Sequence, residues 1–254
     1  MVPVTGSRSV AWDAYAAVLF DLDGVLTPTA EVHMAAWAEM FDEYLAGLDT
    51  SRPGLEGADT SPYTDADYFA HVDGKPRYEG VADLLAARGI TLPHGSPDDP
   101  PSAETVCGLG NRKNGAFRTV LERDGVRPYP GSVALLDHLR DLGTPLAVVS
   151  SSANAPAVLD AAGLTDRFVT VVDGRVAREL GLAGKPAPDT FLHAAQVCGA
   201  QPAAAVVVED AVSGVRAGAA GDVGLVVGVD RGAGAEALTA AGADLVVADL
   251  GELA

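Results

Sequence analysis

From Tyr129 onward, the sequence alternates short apolar runs with segments of helical spacing, and this alternation constrains the fold more than any other feature. The runs are apolar throughout, which is typical of strands that are covered by helices on both faces. Strand–helix–strand repetition of this kind predicts an α/β fold with a doubly wound parallel sheet. The predicted strands span residues 145–152, 168–172, 204–210, 223–229 and 244–249.

The segments between these strands predict helices. One helix is expected to begin after "YPGS" with Ser132 as its N-cap, and another carries Asp189 in its first turn. The other predicted helices lie near residues 155–164, 212–220 and 233–241.

An earlier apolar run, Ala17–Phe20, predicts one more strand. It must join the same sheet, because alone it could not be buried. We therefore expect a Rossmann-like core formed by residues 1–29 and 128–254, with an inserted α-helical cap domain at 30–127. Within the insertion, helices are predicted at 30–48, 79–89 and 111–123. Pro, Gly, Asp and Thr are frequent and periodicity is weak at 49–78, and a polar, proline-rich loop is predicted at 92–104.

Composition narrows the possible partners. The 254-residue chain has a net charge of −18, which argues against nucleic acid and anionic membrane surfaces, since these partners need a basic face. No apolar run approaches the ~20 residues of a membrane-spanning helix, and the N-terminus lacks a signal-peptide pattern. Cys107 and Cys198 have no metal-binding or redox spacing, so we expect reduced cysteines in a cytoplasmic protein. We expect a monomer or a small homo-oligomer.

Reactive side chains follow several of the predicted strands. In open parallel sheets, ligands bind beyond the carboxyl ends of the strands, so these side chains are expected to converge on one site. They are Asp21 and Asp23 after the first strand, Ser150 and Ser151 after the second, Lys185 before a helix, and Glu209 and Asp210 after a later strand.

The chemistry of these residues points to phosphoryl transfer. Carboxylates such as Asp21, Asp23 and Asp210 are hard oxygen ligands and favour Mg²⁺. Lys185 would help to offset their charge, and a carboxylate can act as a nucleophile that forms an aspartyl phosphate. The hydroxyl and backbone N–H groups at Ser150 and Ser151 could hold phosphate oxygens.

Four segments resemble, in order, the four motifs of the haloacid dehalogenase superfamily. The chain looks most similar to the β-phosphoglucomutases and their close hydrolase relatives, and the resemblance covers nearly its whole length. The segments are "DLDGVLT" (21–27), "VVSSS" (148–152), "GKPAPD" (184–189) and "VVVEDAVSGV" (206–215).

This resemblance implies a role for each motif residue. Asp21 would be the nucleophile, and Asp23 the general acid and base, with its backbone carbonyl on Mg²⁺. Ser150 and Lys185 would bind the transferring phosphate. Asp210, with Glu209, would complete the metal site.

The resemblance also implies that the cap binds substrate. Arg77, in "HVDGKPRYEGV", matches the arginine that grips the non-reacting phosphate of the sugar. Two positions depart from the family: Pro28 replaces a common hinge aspartate, and Ala153 replaces a lysine that often contacts phosphate. The other cap matches are Arg112, Lys113 and Asn114 in a second cationic stretch, and Thr29 and His33 near the hinge.

These features predict Mg²⁺-dependent phosphoryl transfer on a small phosphorylated sugar, with conversion of β-glucose 1-phosphate to glucose 6-phosphate as the main hypothesis. A mutase needs a second phosphate grip, because the two ends of its bisphosphate intermediate must exchange. A sugar-phosphate phosphatase is the alternative, which Pro28 and Ala153 favour. A non-catalytic sugar-phosphate sensor is a third.

Each candidate residue also has a plainer interpretation. Lys185 could be a surface lysine, and Glu209 and Asp210 could only cap the next helix. His33 could simply pack beside Trp37. The cationic cap residues could belong to surface ion pairs or to a solvated helix face; these are Arg77, Arg112 and Lys113.

Overall fold

The strands form one parallel sheet in the computed structural model, which describes residues 10–51, 55 and 57–254. They are β1 (Ala17–Phe20), β2 (Leu146–Val149), β3 (Thr170–Val172), β4 (Ala205–Glu209), β5 (Leu225–Val229) and β6 (Leu245–Val247). The order across the sheet is β3-β2-β1-β4-β5-β6. The predicted doubly wound α/β fold is confirmed.

The first strand lies in the middle of this sheet. Leu19 of β1 is in register with Ala147 of β2 and with Val207 of β4. Every residue of β1, β2 and β4 is buried, as expected for strands that are covered on both faces. The strand at Ala17–Phe20 therefore pairs with strands that follow the insertion, as the sequence predicts.

Helices occupy the segments between the strands and most of the insertion. None of the helices in the described ranges is long and apolar enough to cross a membrane. The α-helices are α1 (Thr29–Ala46), α2 (Asp65–Asp67), α3 (Arg77–Ala87), α4 (Val106–Asp124), α5 (Pro130–Asp141), α6 (Ala155–Ala161), α7 (Gly174–Leu180), α8 (Asp189–Val197), α9 (Val212–Ala220) and α10 (Ala235–Ala241). A π-helical turn spans Tyr68–Val72, and short 3-10 helices span Trp12–Ala14, Thr165–Arg167, Pro202–Ala204 and Leu250–Leu253.

The predicted N-cap of α5 is wrong. The helix begins at Pro130 with Tyr129 as its N-cap, so Ser132 lies inside the helix. Proline suits the first helical position, because its fixed φ matches the helix and its missing N–H is not needed there. The buried Ser132 hydroxyl instead donates a hydrogen bond to the Val25 carbonyl at 2.6 Å.

Two of the helix starts that the predicted spacing missed, those of α4 and α7, are fixed by caps. α4 begins before residue 111 because the Thr105 hydroxyl accepts a hydrogen bond from the Gly108 N–H at 2.9 Å, which caps the helix. α7 was not predicted, and it begins where the Asp173 carboxylate accepts hydrogen bonds from the N–H groups of Arg175 and Val176 at 2.9 and 2.8 Å. In both cases a cap fixes the start where apolar spacing is weak.

The chain divides into two compact units, and each has its own apolar core. The sheet unit consists of the described residues through Pro28 together with Arg127–Ala254, and the helical unit is Thr29–Val126. Their assignment as catalytic core and cap remains a prediction. The core of the sheet unit includes Leu19, Phe191 and Val207, and that of the helical unit includes Phe41, Leu84 and Leu109.

Candidate active site

Three charged side chains from separate elements meet at the carboxyl edge of the sheet. Asp21 follows β1, Glu209 ends β4 and Lys185 precedes α8. The Nζ atom of Lys185 lies 2.5 Å from Oδ1 of Asp21, 2.6 Å from Oε1 of Glu209 and 3.0 Å from the carbonyl oxygen of Val149. An ammonium has three N–H donors, so these contacts use all of them. The structure thus brings three predicted site residues together, and Lys185 is buried rather than on the surface.

Burial and charge shift the pKa values of this cluster. Burial raises the pKa of the Asp21 carboxyl to about 8; Lys185 acts to lower it, and Glu209 and Asp23 act to raise it. Burial alone would lower the pKa of Lys185, but Asp21 and Glu209 outweigh that effect and raise it above its ordinary value. Lys185 therefore stays charged beside the two carboxylates that it contacts.

Asp23 lies in the turn that follows β1, and Asp210, which directly follows β4, lies against that turn. Gly24 has a φ of +85° in this turn, a conformation that glycine adopts without strain. A Cβ atom at Gly24 would overlap the Asp210 carboxylate, so Asp210 packs directly against the turn. Asp23 is close enough to Asp21 to raise its pKa. Asp23 and Asp210 therefore both lie at the edge of the sheet that holds Asp21.

Arg231, which no sequence motif indicated, holds the same turn. Its Nε donates a hydrogen bond to the Gly24 carbonyl at 3.0 Å, and its Nη1 donates to the Ala248 carbonyl at 3.0 Å. The guanidinium lies 4.0 Å from the ring centroid of Tyr129. Arg231 comes shortly after β5. The rule that identified the other site residues, a polar side chain just after a strand, would therefore also have identified Arg231.

Ser150 and Ser151 follow β2, beside the lysine. Lys185 donates to the carbonyl of Val149, the residue immediately before Ser150. The buried Ser150 hydroxyl accepts a hydrogen bond from the Ser152 N–H at 3.1 Å, which closes a tight turn. This turn places a hydroxyl group and backbone amides next to the cluster, and these are groups that can hold phosphate oxygens.

The donor set at this edge fits a magnesium ion. Asp21 and Asp210 supply carboxylate oxygens, and Asp23 supplies a backbone carbonyl. No cluster of three or more His, Cys, Asp or Glu side chains that could hold a metal ion occurs among the described residues. Mg²⁺ does not need one, because it keeps several waters and is usually bound by one or two carboxylates.

In the helical unit, Arg77 and Asn114 lie together. Arg77 is the first residue of α3, and its Nη2 donates a hydrogen bond to Oδ1 of Asn114 at 2.8 Å. Arg112 has a different partner, because its Nε donates to the Pro101 carbonyl at 2.9 Å. Of the second cationic stretch, Asn114 therefore contacts Arg77, whereas Arg112 binds the segment before α4.

Lys113 and His33 form a second pair in the helical unit. The Nζ atom of Lys113 contacts Nδ1 of His33 and lies 4.8 and 5.2 Å from the ring centroids of Trp37 and Phe117. The His33 ring stacks on Phe117 with centroids 3.9 Å apart. Thr29 is buried at the start of α1. His33 thus has both aromatic packing and a cationic neighbour, and its role at the acid/base stays a prediction.

Comparison with known proteins defines the class. A family model for haloacid dehalogenase-like hydrolases matches residues 15–222, and the chain belongs to this family. It is 52% identical over 242 residues to a β-phosphoglucomutase of Mycobacterium bovis, covering 93% of this chain and 90% of that protein. It is 32% identical over 210 residues to the fructose-1-phosphate phosphatase YqaB of Escherichia coli, covering 81% and 92%.

The fold comparison agrees. A crystal structure of β-phosphoglucomutase from Clostridium difficile superposes with a TM-score of 0.72 at 25% identity, covering 94% of this chain and 93% of that one. The predicted family resemblance and the prediction of an enzyme are both confirmed.

Proposed function

We propose that this protein is a Mg²⁺-dependent β-phosphoglucomutase, which converts β-glucose 1-phosphate into glucose 6-phosphate through an aspartyl phosphate. The observation that carries this proposal is the buried cluster in which Lys185 joins Asp21 to Glu209. The mycobacterial relative, which is named for this activity, supports the choice of substrate.

In the first half of the reaction, phosphorylated Asp21 transfers its phosphoryl group to the 6-hydroxyl of β-glucose 1-phosphate. The new O–P bond forms as the bond from Asp21 to phosphorus breaks, and Asp23 accepts the hydroxyl proton. The products are a free Asp21 carboxylate and β-glucose 1,6-bisphosphate.

In the second half, the bisphosphate presents its other phosphate to Asp21. The carboxylate attacks phosphorus, and Asp23 returns the proton to the oxygen that departs with C1. This releases glucose 6-phosphate and restores the phosphorylated enzyme. Lys185 stabilises charge on the transferring group, and Ser150 and Ser151 hold its oxygens through hydroxyl and N–H groups.

The metal site would use the carboxylates of Asp21 and Asp210 and the backbone carbonyl of Asp23. When bound there, Mg²⁺ supplies positive charge for the oxygens of the transferring group. Glu209 completes the site by holding Lys185, since its Oε1 accepts from Lys185 and its Oε2 accepts from the Ala211 N–H at 2.8 Å.

The helical unit favours a mutase over a phosphatase. Arg77 would bind the phosphate that is not reacting, and only a mutase needs this second phosphate-binding site. Asn114 supports this role by accepting a hydrogen bond from the Arg77 guanidinium. The residues proposed to assist are Arg112 and Lys113 as cations, and Thr29 and His33 near the acid/base.

A sugar-phosphate phosphatase on the same scaffold is the second candidate. The E. coli relative is named for such an activity. Ala153 has no cationic side chain beside the phosphate-binding turn, and Pro28 alters the hinge, so water could reach the phosphorylated Asp21 in place of a sugar hydroxyl.

The test measures two products at once. The enzyme is incubated with β-glucose 1-phosphate, Mg²⁺ and a trace of β-glucose 1,6-bisphosphate, and both glucose 6-phosphate and inorganic phosphate are followed. Glucose 6-phosphate without equivalent free phosphate supports the mutase. Stoichiometric free phosphate without glucose 6-phosphate overturns it in favour of the phosphatase. Asp21→Asn is the control and should form neither product; a biological effect retained in that variant would favour the sensor.

We also propose a cytoplasmic enzyme that acts as a monomer or small homo-oligomer and binds neither nucleic acid nor membranes. The net charge of −18 supports the absence of those anionic partners.

A further inference from the structure

The side chain of Asn111 links the segment before α4 to the first turn of α3. Its Nδ2 donates hydrogen bonds to the carbonyls of Pro97 at 3.0 Å and Asp99 at 2.9 Å. Its Oδ1 accepts hydrogen bonds from Nη1 of Arg77 at 3.3 Å and from the hydroxyl of Tyr78 at 2.9 Å. Only one orientation of the amide places its donors on two carbonyls and its acceptor on two donors, so this network fixes Asn111 completely.

Residues 93–105, whose carbonyls bind the Asn111 amide, are also held in place by hydrogen bonds that do not involve Asn111. The Asp99 carboxylate accepts hydrogen bonds from the Ser96 N–H at 3.1 Å and from the Thr105 hydroxyl at 2.6 Å. The Val106 N–H donates to the Pro93 carbonyl at 3.0 Å. These bonds anchor both ends of the segment on the start of α4. Residues 93–105, which have no helical or strand periodicity, therefore form a defined platform for the Asn111 amide.

Close packing brings Arg77 up to this platform. A Cβ atom at Gly110 would lie 2.8 Å from Cδ1 of Tyr78 and 3.0 Å from Cδ of Arg77. Contacts this short force neighbouring atoms to move, so a glycine at this position lets the start of α3 approach α4. The absence of a side chain at Gly110 thus sets the distance across which Asn111 reaches the guanidinium.

We propose that Asn111, held by residues 93–105, is a positioning residue that fixes the Arg77 guanidinium for the non-reacting phosphate of the substrate. This inference rests on the proposed mutase function. Asn111 and Asn114 accept hydrogen bonds from different Nη atoms of Arg77. Because both side chains are neutral amides, they orient the planar guanidinium without cancelling its positive charge. A guanidinium that is already oriented loses less conformational freedom when it binds an anion.

A double-mutant cycle tests this coupling. Asn111→Ala, Arg77→Ala and the double variant are compared for KM and kcat with β-glucose 1-phosphate, and for hydrolysis of p-nitrophenyl phosphate, which has no second phosphate. We expect Asn111→Ala to raise KM for the sugar phosphate about tenfold, through lost preorganisation of Arg77. In the Arg77→Ala background the same substitution should add no further increase, because the group that it positions is gone.

Two further variants separate positioning from a structural role. Gly110→Ala keeps every hydrogen-bonding group and favours the helix, yet it should raise KM by displacing Arg77. Tyr78→Phe removes one donor to the same Asn111 oxygen but not Arg77, so it should change KM much less. The inference would be overturned if Asn111→Ala lost the same fraction of its activity on both substrates. It would also be overturned if the double variant showed the KM increases of both single variants combined.

The outcomes also separate this inference from the proposed function. A wild-type enzyme that forms no glucose 6-phosphate overturns both. A wild-type mutase whose KM is unchanged by both Asn111→Ala and Gly110→Ala overturns only the role of Asn111.

Discussion

Lys185→Met leaves two buried carboxylates and a carbonyl without the ammonium that they share. The side chains of Lys185 and Glu209 are only 2% and 1% exposed, so water cannot replace the lost contacts. Removing one partner of such a buried pair costs about 3–5 kcal/mol, because an uncompensated charge remains in the interior. Methionine retains most of the aliphatic stem, so little of this cost would come from lost packing. We therefore expect the free energy of unfolding at neutral pH to fall by about 3–5 kcal/mol.

Urea-induced unfolding measures this change, with Lys75→Met as the matched control. Lys75 contacts Asp83 at 2.6 Å, but their side chains are 22% and 53% exposed. Exposed pairs of this kind contribute less than about 1 kcal/mol. The reasoning would be refuted if the two variants lost similar amounts of stability, because the contacts of Lys185 would then be no more valuable than a surface ion pair.

Three further substitutions test the surroundings of the cluster. Gly24→Ala, at a φ of +85° and against the Asp210 carboxylate, should raise the Mg²⁺ concentration for half-maximal activity about tenfold; an unchanged Mg²⁺ requirement would contradict the packing. Arg231→Ala should lower the free energy of unfolding by about 2 kcal/mol in urea titrations, since it removes charged donors from two carbonyls. Arg231→Lys keeps the charge but not the planar fork, so it should lose nearly as much, and wild-type stability in that variant would count against the contact with two carbonyls. Ser132→Ala should cost about 1–3 kcal/mol in thermal unfolding by leaving the Val25 carbonyl unpaired, and a neutral effect would show that water replaces the bond.

The sequence was sufficient to predict the sheet and the residues at its carboxyl edge. Strand ends in a parallel sheet lie at one edge by geometry, so the approach of Asp21 to Glu209 follows once both strands are recognised. Lys185 precedes α8 and follows no strand, so its position was indicated only by the motif that contains it. Ser132 shows where this reasoning fails. Its hydroxyl bonds to Val25, which is remote in sequence, and local cap preferences carry no information about such a contact.

The insertion was less predictable, because its key contacts do not depend on periodicity. The start of α4 is set by the Thr105 cap rather than by apolar spacing. The link from Asn111 to Arg77 joins two helices through an amide whose other bonds go to backbone carbonyls. No residue type in that segment indicates where a backbone carbonyl will lie, so only the structure gives the proline-rich segment a role.

The most direct test of the account is to find the phosphoryl group on the enzyme. The protein is mixed with β-glucose 1,6-bisphosphate and Mg²⁺, quenched rapidly in acid and digested, and the phosphorylated peptide is identified by mass spectrometry. We predict one phosphate on the peptide that contains Asp21, and none in Asp21→Asn. Phosphate on a different residue, or full turnover by Asp21→Asn, would contradict the central claim that Asp21 carries the phosphoryl group.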